Sequence, residues 1–119
     1  MKITEVSIQL FTYPSQIAKD SEGHAHPGSE HEGTQSLLRI GTDDGIEGFI
    51  FGVPPEPIDS LVAPALLGED PLFRERIWQD LKNYQRLNKG TLNDGVIAAV
   101  DLALWDLAGR YHGQPVHKL

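Results

Sequence analysis

Near the N-terminus Val6, Ile8 and Leu10 alternate with Glu5, Ser7 and Gln9, the period of two expected of a half-buried strand. Phe11 and Tyr13 prolong that strand until Pro14, which lacks a backbone donor and so predicts its end. Two further apolar runs, "SLLRI" and "IEGFIF", flank Thr42-Asp43-Asp44-Gly45. Asp suits the entry of a short turn, and Gly supplies the positive φ that closes it, so these runs predict a hairpin. The three segments make an antiparallel meander over residues 1–53, with one oversized loop over residues 14–33.

Three prolines in "GVPPEP" (residues 52–57) end the strand pattern, and the period then changes. Ile58, Leu61, Val62, Leu66 and Leu67 predict one or two helical turns, interrupted at Pro64 and closed at Gly68. A second helix is predicted with Asp70 as N-cap, Pro71 at the first position, and Leu72, Phe73, Ile77, Trp78 and Leu81 on one stripe; it fades near Asn88 to Gly90. The strongest pattern follows Thr91-x-x-Asp94, read as a capping box. Val96, Val100, Ala103, Leu104, Leu107, Ala108 and Tyr111 recur there every three or four residues, with Gly113 as stop and Pro115 beyond it. This helix is the expected buried spine. Asp106 and Arg110 lie four apart on it and are placed to pair.

Composition narrows the class. A chain of 119 residues with 39% hydrophobic and 23% charged residues suits one α+β domain with its own core. The net charge of −7 argues against nucleic acid or an anionic membrane as partner, since both need clustered Lys and Arg. There is no cysteine, which removes disulfides, thiolate metal sites and cysteine nucleophiles and fits a cytoplasmic setting. "MKITEVSIQL" lacks the apolar core of a signal peptide.

Candidate chemistry concentrates in "SEGHAHPGSEHEG", residues 21–33, where His24, His26 and His31 alternate with Glu22, Glu30 and Glu32. On a strand, His-x-His would turn two imidazoles to one face, and His31 or a glutamate could complete a zinc site. Gly23, Pro27, Gly28 and Gly33 speak instead for a solvated loop, which would lose much entropy in building that site. One reading is therefore a stand-alone metal-binding protein using His24, His26 and His31.

The opening "MKITEV" strand, the "TDDGIEGF" hairpin, the "LVAPALLGEDP" connection and the helix "AAVDLALWDLAGRYHGQPVHKL" follow one another as in a known family. The chain resembles the N-terminal capping domain of enolase-superfamily enzymes of the mandelate racemase and muconate lactonizing enzyme type. That resemblance implies an α+β fold, a three-stranded meander followed by about three helices over residues 58–113. It also implies a (β/α)7β barrel that these residues do not contain, residues 114–119 beginning the link to it. The family abstracts the proton next to a substrate carboxylate, with a Lys or His as base, and stabilises the resulting ene-diolate with Mg²⁺. Its metal ligands and catalytic bases sit on the barrel, so the resemblance places no catalytic residue and no metal ligand in this chain and leaves it inert alone.

What the resemblance does carry over is a lid made of the loop between strands one and two and the turn after strand three, roughly Ser15 to Glu32 and Phe51 to Pro57. Such lids exclude water and select substrates. By position His24, His26, His31, Tyr13, Phe51 and Val53 are the candidates to meet substrate, although Tyr13, Phe51 and Val53 equally suit plain packing. Among the family's reactions, dehydration of an acid sugar or racemisation suits a polar, His-bearing lid better than lactonization does. The implied partners are the chain's own barrel, a small carboxylate substrate and further copies of the whole enzyme. Asp101, Trp105 and Asp106 read as structural, with Trp105 in the seam between cap and barrel; His112 and His117 read as helix-end cations.

Overall fold

The computed structural model describes all residues from Met1 to Leu119. Three strands, β1 (Ile3–Lys19), β2 (Ala25–Thr42) and β3 (Glu47–Phe51), form one antiparallel sheet in the order β1-β2-β3. Helical residues 55–66 (α1) follow, then α2 (Arg74–Gln85), α3 (Asp94–His112) and a closing 3₁₀ turn, Val116–Lys118. This is the α+β meander with three helices that the sequence predicts. The β2–β3 turn is also as expected: Gly45 has φ +79°, and its N–H donates to the Thr42 carbonyl.

The predicted loop over residues 14–33 is instead a continuation of the hairpin. β1 runs through Pro14, which lies opposite Glu32, and the ladder reaches Lys19 opposite Ala25. Pro14 is tolerated because β1 is an edge strand with one row of backbone groups free of partners. A register shift between Ser15 and Ile17 follows at once, and there the Ser15 hydroxyl accepts the Ile17 N–H. No residue between positions 4 and 35 is buried. The hairpin beyond the root of the sheet is therefore a two-stranded ribbon without a core of its own.

The core lies at the root of the sheet. Ile3, Leu38 and Ile40 meet Val53, Ile58, Val62 and Leu66, then Ile77 and Leu81 of α2, and Val96, Val100, Leu104 and Leu107 of α3. The α3 spine is tight against β3. A Cβ added to Gly48 would run into the Ala103 carbonyl oxygen and stand 2.7 Å from Leu107 Cβ, so only glycine permits this approach. On the outer edge of β3, Asp106 accepts the Phe49 N–H at 3.0 Å and the Arg110 Nε–H at 3.0 Å. The helix thus supplies the acceptor that a fourth strand would otherwise provide.

Helix boundaries differ from the sequence reading for local reasons. Pro64 does not interrupt α1: a π-turn at Ile58–Val62 lets Ala63 N–H reach Ile58 carbonyl, and Pro64 then sits at the start of the next turn, where no donor is required. Asp70 accepts the Leu72 N–H at 2.9 Å and makes a turn, so α2 begins only at Arg74. Phe73 and Trp78, predicted on its buried stripe, are 59% and 42% exposed. In α3 the cap is Asn93, which accepts the Val96 N–H, and the Thr91–Asp94 box does not form. Asp94 instead takes hydrogen bonds from Gln85 and Lys82 of α2; the Gln85 bond first, then the Lys82 bond and charge, hold its carboxyl below the usual carboxylate range. Gly113 ends the helix in the left-handed region, as expected.

Replacing Gly48 with Ala should destabilise the chain by about 2 kcal/mol or more, because the added methyl meets backbone that cannot yield. Asp106→Ala should cost about 1–3 kcal/mol through the orphaned Phe49 N–H. Urea denaturation followed by circular dichroism measures both.

Candidate functional site

The ribbon divides the sequence candidates among three places. Along β1 and β2, alternate residues face the helices, and the others face away. Tyr13 lies opposite Gly33, Ser15 opposite His31 and Leu37 opposite Phe51, which places Tyr13, His31 and Phe51 together on the face turned from the core. Tyr13 is 45% and Phe51 61% exposed. A Cβ on Gly33 would stand 2.8 Å from Tyr13 Cζ, so Gly33 lets the phenol ring lie across its neighbouring strand.

Tyr13 and His31 line a shallow cavity of 410 Å³ with Thr12, Pro14, Glu30 and Glu32. His31 Nδ1 stands 3.0 Å from the Ser29 carbonyl oxygen. A carbonyl only accepts, so Nδ1 carries the hydrogen, and Nε2 is left to accept from or, when protonated, donate to a ligand. A phenol, an imidazole nitrogen and two carboxylates in one cavity can both donate to and accept from hydroxyl groups. Phe51 lies outside this cavity, further toward the root on the same face of the sheet.

His24 and His26 are elsewhere, at the tip. There Asp20 gathers the turn: Oδ1 accepts the Glu22 and His24 N–H groups, each at 2.9 Å, and Oδ2 stands 2.8 Å from His26 Nε2 and 3.4 Å from His24 Nδ1. The His26 hydrogen bond, with the His24 N–H next, holds the Asp20 carboxyl below its usual range. The three histidines therefore do not converge. Nowhere in the chain do three His, Asp or Glu side chains come together in a way that could hold a metal ion. The donor set for a zinc site built on His24, His26 and His31 is not assembled.

Val53, a candidate for the lid surface, is 1% exposed and belongs to the core. Its carbonyl accepts the Ser36 hydroxyl at 2.6 Å, and the prolines that follow turn the chain into α1, which carries the side chain inward. Asp106 is structural, as described. Trp105 and Asp101 border an open cleft of 830 Å³ between α2 and α3, with Phe73, Arg74 and Trp78 on its other wall. The Arg74 guanidinium stacks 3.9 Å above the Trp105 ring. Burial pushes the Asp101 carboxyl above its ordinary value, against the pull of Arg74. Sequence reasoning missed Asp20 and Arg74. Asp20 had a readable signal, an Asx residue four before His24 at the mouth of a turn; Arg74 had none, since its partner ring lies on another helix.

The family model for the mandelate racemase / muconate lactonizing enzyme N-terminal domain matches residues 7–119. A D-galactonate dehydratase family member from Musicola paradisiaca is 39% identical over 70 residues, which cover 59% of this chain and 16% of that protein. One from Pseudarthrobacter chlorophenolicus is 37% identical over 89 residues, 69% of this chain and 22% of that protein. Among solved structures, D-glucarate dehydratase from Agrobacterium tumefaciens, complexed with magnesium, superposes with a TM-score of 0.90 at 47% identity, covering 99% of this chain and 32% of that one. An isomerase from Streptomyces coelicolor A3(2) gives 0.72 at 28% identity, over 98% of this chain and 31% of that one. The chain thus spans a third or less of the length of these relatives. It belongs to the mandelate racemase / muconate lactonizing enzyme N-terminal domain family of the enolase superfamily.

Proposed function

We propose that this chain is the capping domain of a longer enzyme, in which the β1–β2 ribbon and the turn at Phe51 close over a substrate carboxylate held on a (β/α)7β barrel. The observation that carries this reading is the uncovered ribbon. Two strands with no buried residue between positions 4 and 35 are marginal alone in water, and they present Tyr13, His31 and Phe51 on one open face. A lid has this design: it is fixed at its root by the core and free of intramolecular cover along its length, so that a ligand or a second domain completes it.

The reaction we assign to the whole enzyme is abstraction of the proton α to a carboxylate, leading to dehydration of an acid sugar or to racemisation or epimerisation. The D-glucarate and D-galactonate dehydratase relatives and the hydrogen-bonding character of the ribbon cavity support the acid-sugar reading, because a polyhydroxy chain requires such partners. The glucarate dehydratase relative is complexed with magnesium. We assign Mg²⁺ in the whole enzyme to barrel residues and no proton-transfer step to this chain. Its own work is to orient substrate hydroxyls through Tyr13 and His31, to exclude water with Phe51, and to select among substrates. No helix is long and apolar enough to cross a membrane; a cytoplasmic, homo-oligomeric parent enzyme completes the proposal.

Exchanging the matched third of the A. tumefaciens D-glucarate dehydratase for this chain tests the reading. The hybrid should keep Mg²⁺-dependent dehydration of D-glucarate, and Tyr13→Phe and His31→Ala in it should each lower kcat/KM about tenfold while leaving the melting temperature unchanged. A folded but inactive hybrid, or variants with full activity, would count against a lid. The 119-residue chain by itself should neither turn over D-glucarate nor show Mg²⁺ binding by calorimetry; turnover by it would overturn the assignment of the chemistry to the barrel.

A further inference from the structure

We propose that Asp20, His24 and His26 form a proton-operated clasp, in which proton uptake by the two imidazoles tightens the hairpin tip around one carboxylate and reverses the sign of the tip's charge. The proposal rests on the lid reading for its purpose, since the tip is the lid's leading edge, but not for its geometry.

Two backbone bonds close the turn, Asp20 N–H to the His24 carbonyl and Gly23 N–H to the Asp20 carbonyl, each 3.0 Å, and the only side chain that ties it further is Asp20. Every residue from Gln16 to Glu32 is exposed, so no apolar contact fixes the tip, and the groups that face Asp20 come from the ribbon itself. They are His26 Nε2 at 2.8 Å, His24 Nδ1 at 3.4 Å, and the Glu22 and His24 N–H groups. The Glu22 carboxylate stands 3.8 Å from His24 Nδ1 on its other side. Lys19 is the one further charge beside the turn, at the last pair of the ladder opposite Ala25. Glu30 and Glu32 lie back along β2, and His31 is engaged with the Ser29 carbonyl. Two imidazoles thus stand among two carboxylates, each within reach of at least one.

Histidine is the side chain whose charge ordinarily changes between pH 5 and 8. A neutral imidazole N–H already donates to the charged Asp20 carboxylate; an imidazolium adds the second charge and turns that hydrogen bond into an ion pair. Proton uptake therefore closes the clasp. It also changes what the tip offers to an approaching ligand. With neutral imidazoles, one lysine against Asp20 and Glu22 leaves the tip at net −1; with both protonated it stands at +1. An open, anionic tip repels a carboxylate and a closed, cationic one attracts it, so that rigidity and charge change together on one event.

Asp20 itself sets the lower limit. Its carboxyl is held below the usual value, chiefly by the His26 hydrogen bond. A carboxylate with a depressed pKa contributes its stabilisation above the unfolded value, near 3.8, and loses it as the pH falls through the folded value. The clasp is accordingly strongest in a window below neutrality and above the Asp20 transition.

Amide hydrogen exchange of the 119-residue chain, followed by nuclear magnetic resonance, tests the proposal at the two bonds that end on Asp20. Corrected for the intrinsic pH dependence of exchange, protection of the Glu22 and His24 amides should rise about two- to fivefold from pH 8 to pH 5.5. It should then fall again as Asp20 titrates. In Asp20→Asn the rise should vanish; in His26→Gln it should shrink to the part His24 supplies, and the Asp20 carboxyl carbon should titrate closer to 3.8. Equal protection at pH 8 and 5.5, or a full rise surviving in His26→Gln, would overturn the clasp. No substrate enters this measurement, so the clasp can fail while the lid stands, and loss of activity in the hybrid's Tyr13 or His31 variants can refute the lid while the clasp stands.

Discussion

The close seat of α3 on β3 is the constraint from which the rest of the structure follows. Gly48 lets the helix backbone come into contact with the strand, and Asp106 replaces the hydrogen-bonding partner missing on the strand's free edge. The apolar side chains that the chain does bury gather on and around that seat. Val100, Ala103, Leu104 and Leu107 meet the root of the sheet, and α1 and α2 fill in around them. Nothing is left to cover β1 and β2 beyond about ten residues from their root. The ribbon is long because its strands pair well, and bare because the core ends at Leu38.

That division of labour suits a capping domain. A rigid root holds position, while a ribbon with low local burial belongs to the part of a structure that opens most readily and is therefore suited to closing over a ligand. Membership of the mandelate racemase / muconate lactonizing enzyme N-terminal domain family gives the ribbon a context in which a covering role makes sense. The polar residues on the ribbon then have separate tasks. Tyr13, His31 and Phe51 share a face and can act on one ligand, whereas His24 and His26 are bound to the tip's own architecture through Asp20.

The fold was largely legible in the sequence because its elements obey local rules. Period two in Val6, Ile8 and Leu10, the Gly45 turn, and the three- and four-residue spacing of the α3 spine each carry their own signal, and all point to one meander with helices. What was illegible depended on partners distant in sequence. Pro14 reads as a stop when the chain is taken alone; it becomes tolerable only on an edge strand, and the edge is set by where β3 pairs. Phe73 and Trp78 fit an apolar stripe on α2, yet no element covers them, because the core is already closed by Ile77 and Leu81. Val53 lies in the segment marked for the lid, but the backbone turns it inward at the prolines. The candidate site was legible in composition and not in geometry: three histidines within eight positions suggested one cluster, and ribbon pairing separates them, setting His31 against Ser15 and leaving the other two to Asp20.

The most direct test of the central claim is a crystal structure of the hybrid dehydratase, carrying this chain on the A. tumefaciens barrel, with Mg²⁺ and a bound acid sugar. The ribbon should fold over the ligand, with the Tyr13 hydroxyl or His31 Nε2 at about 2.6–3.2 Å from a sugar oxygen. A ligand fully bound on the barrel, with the ribbon extended into solvent and its outward face touching nothing, would contradict it.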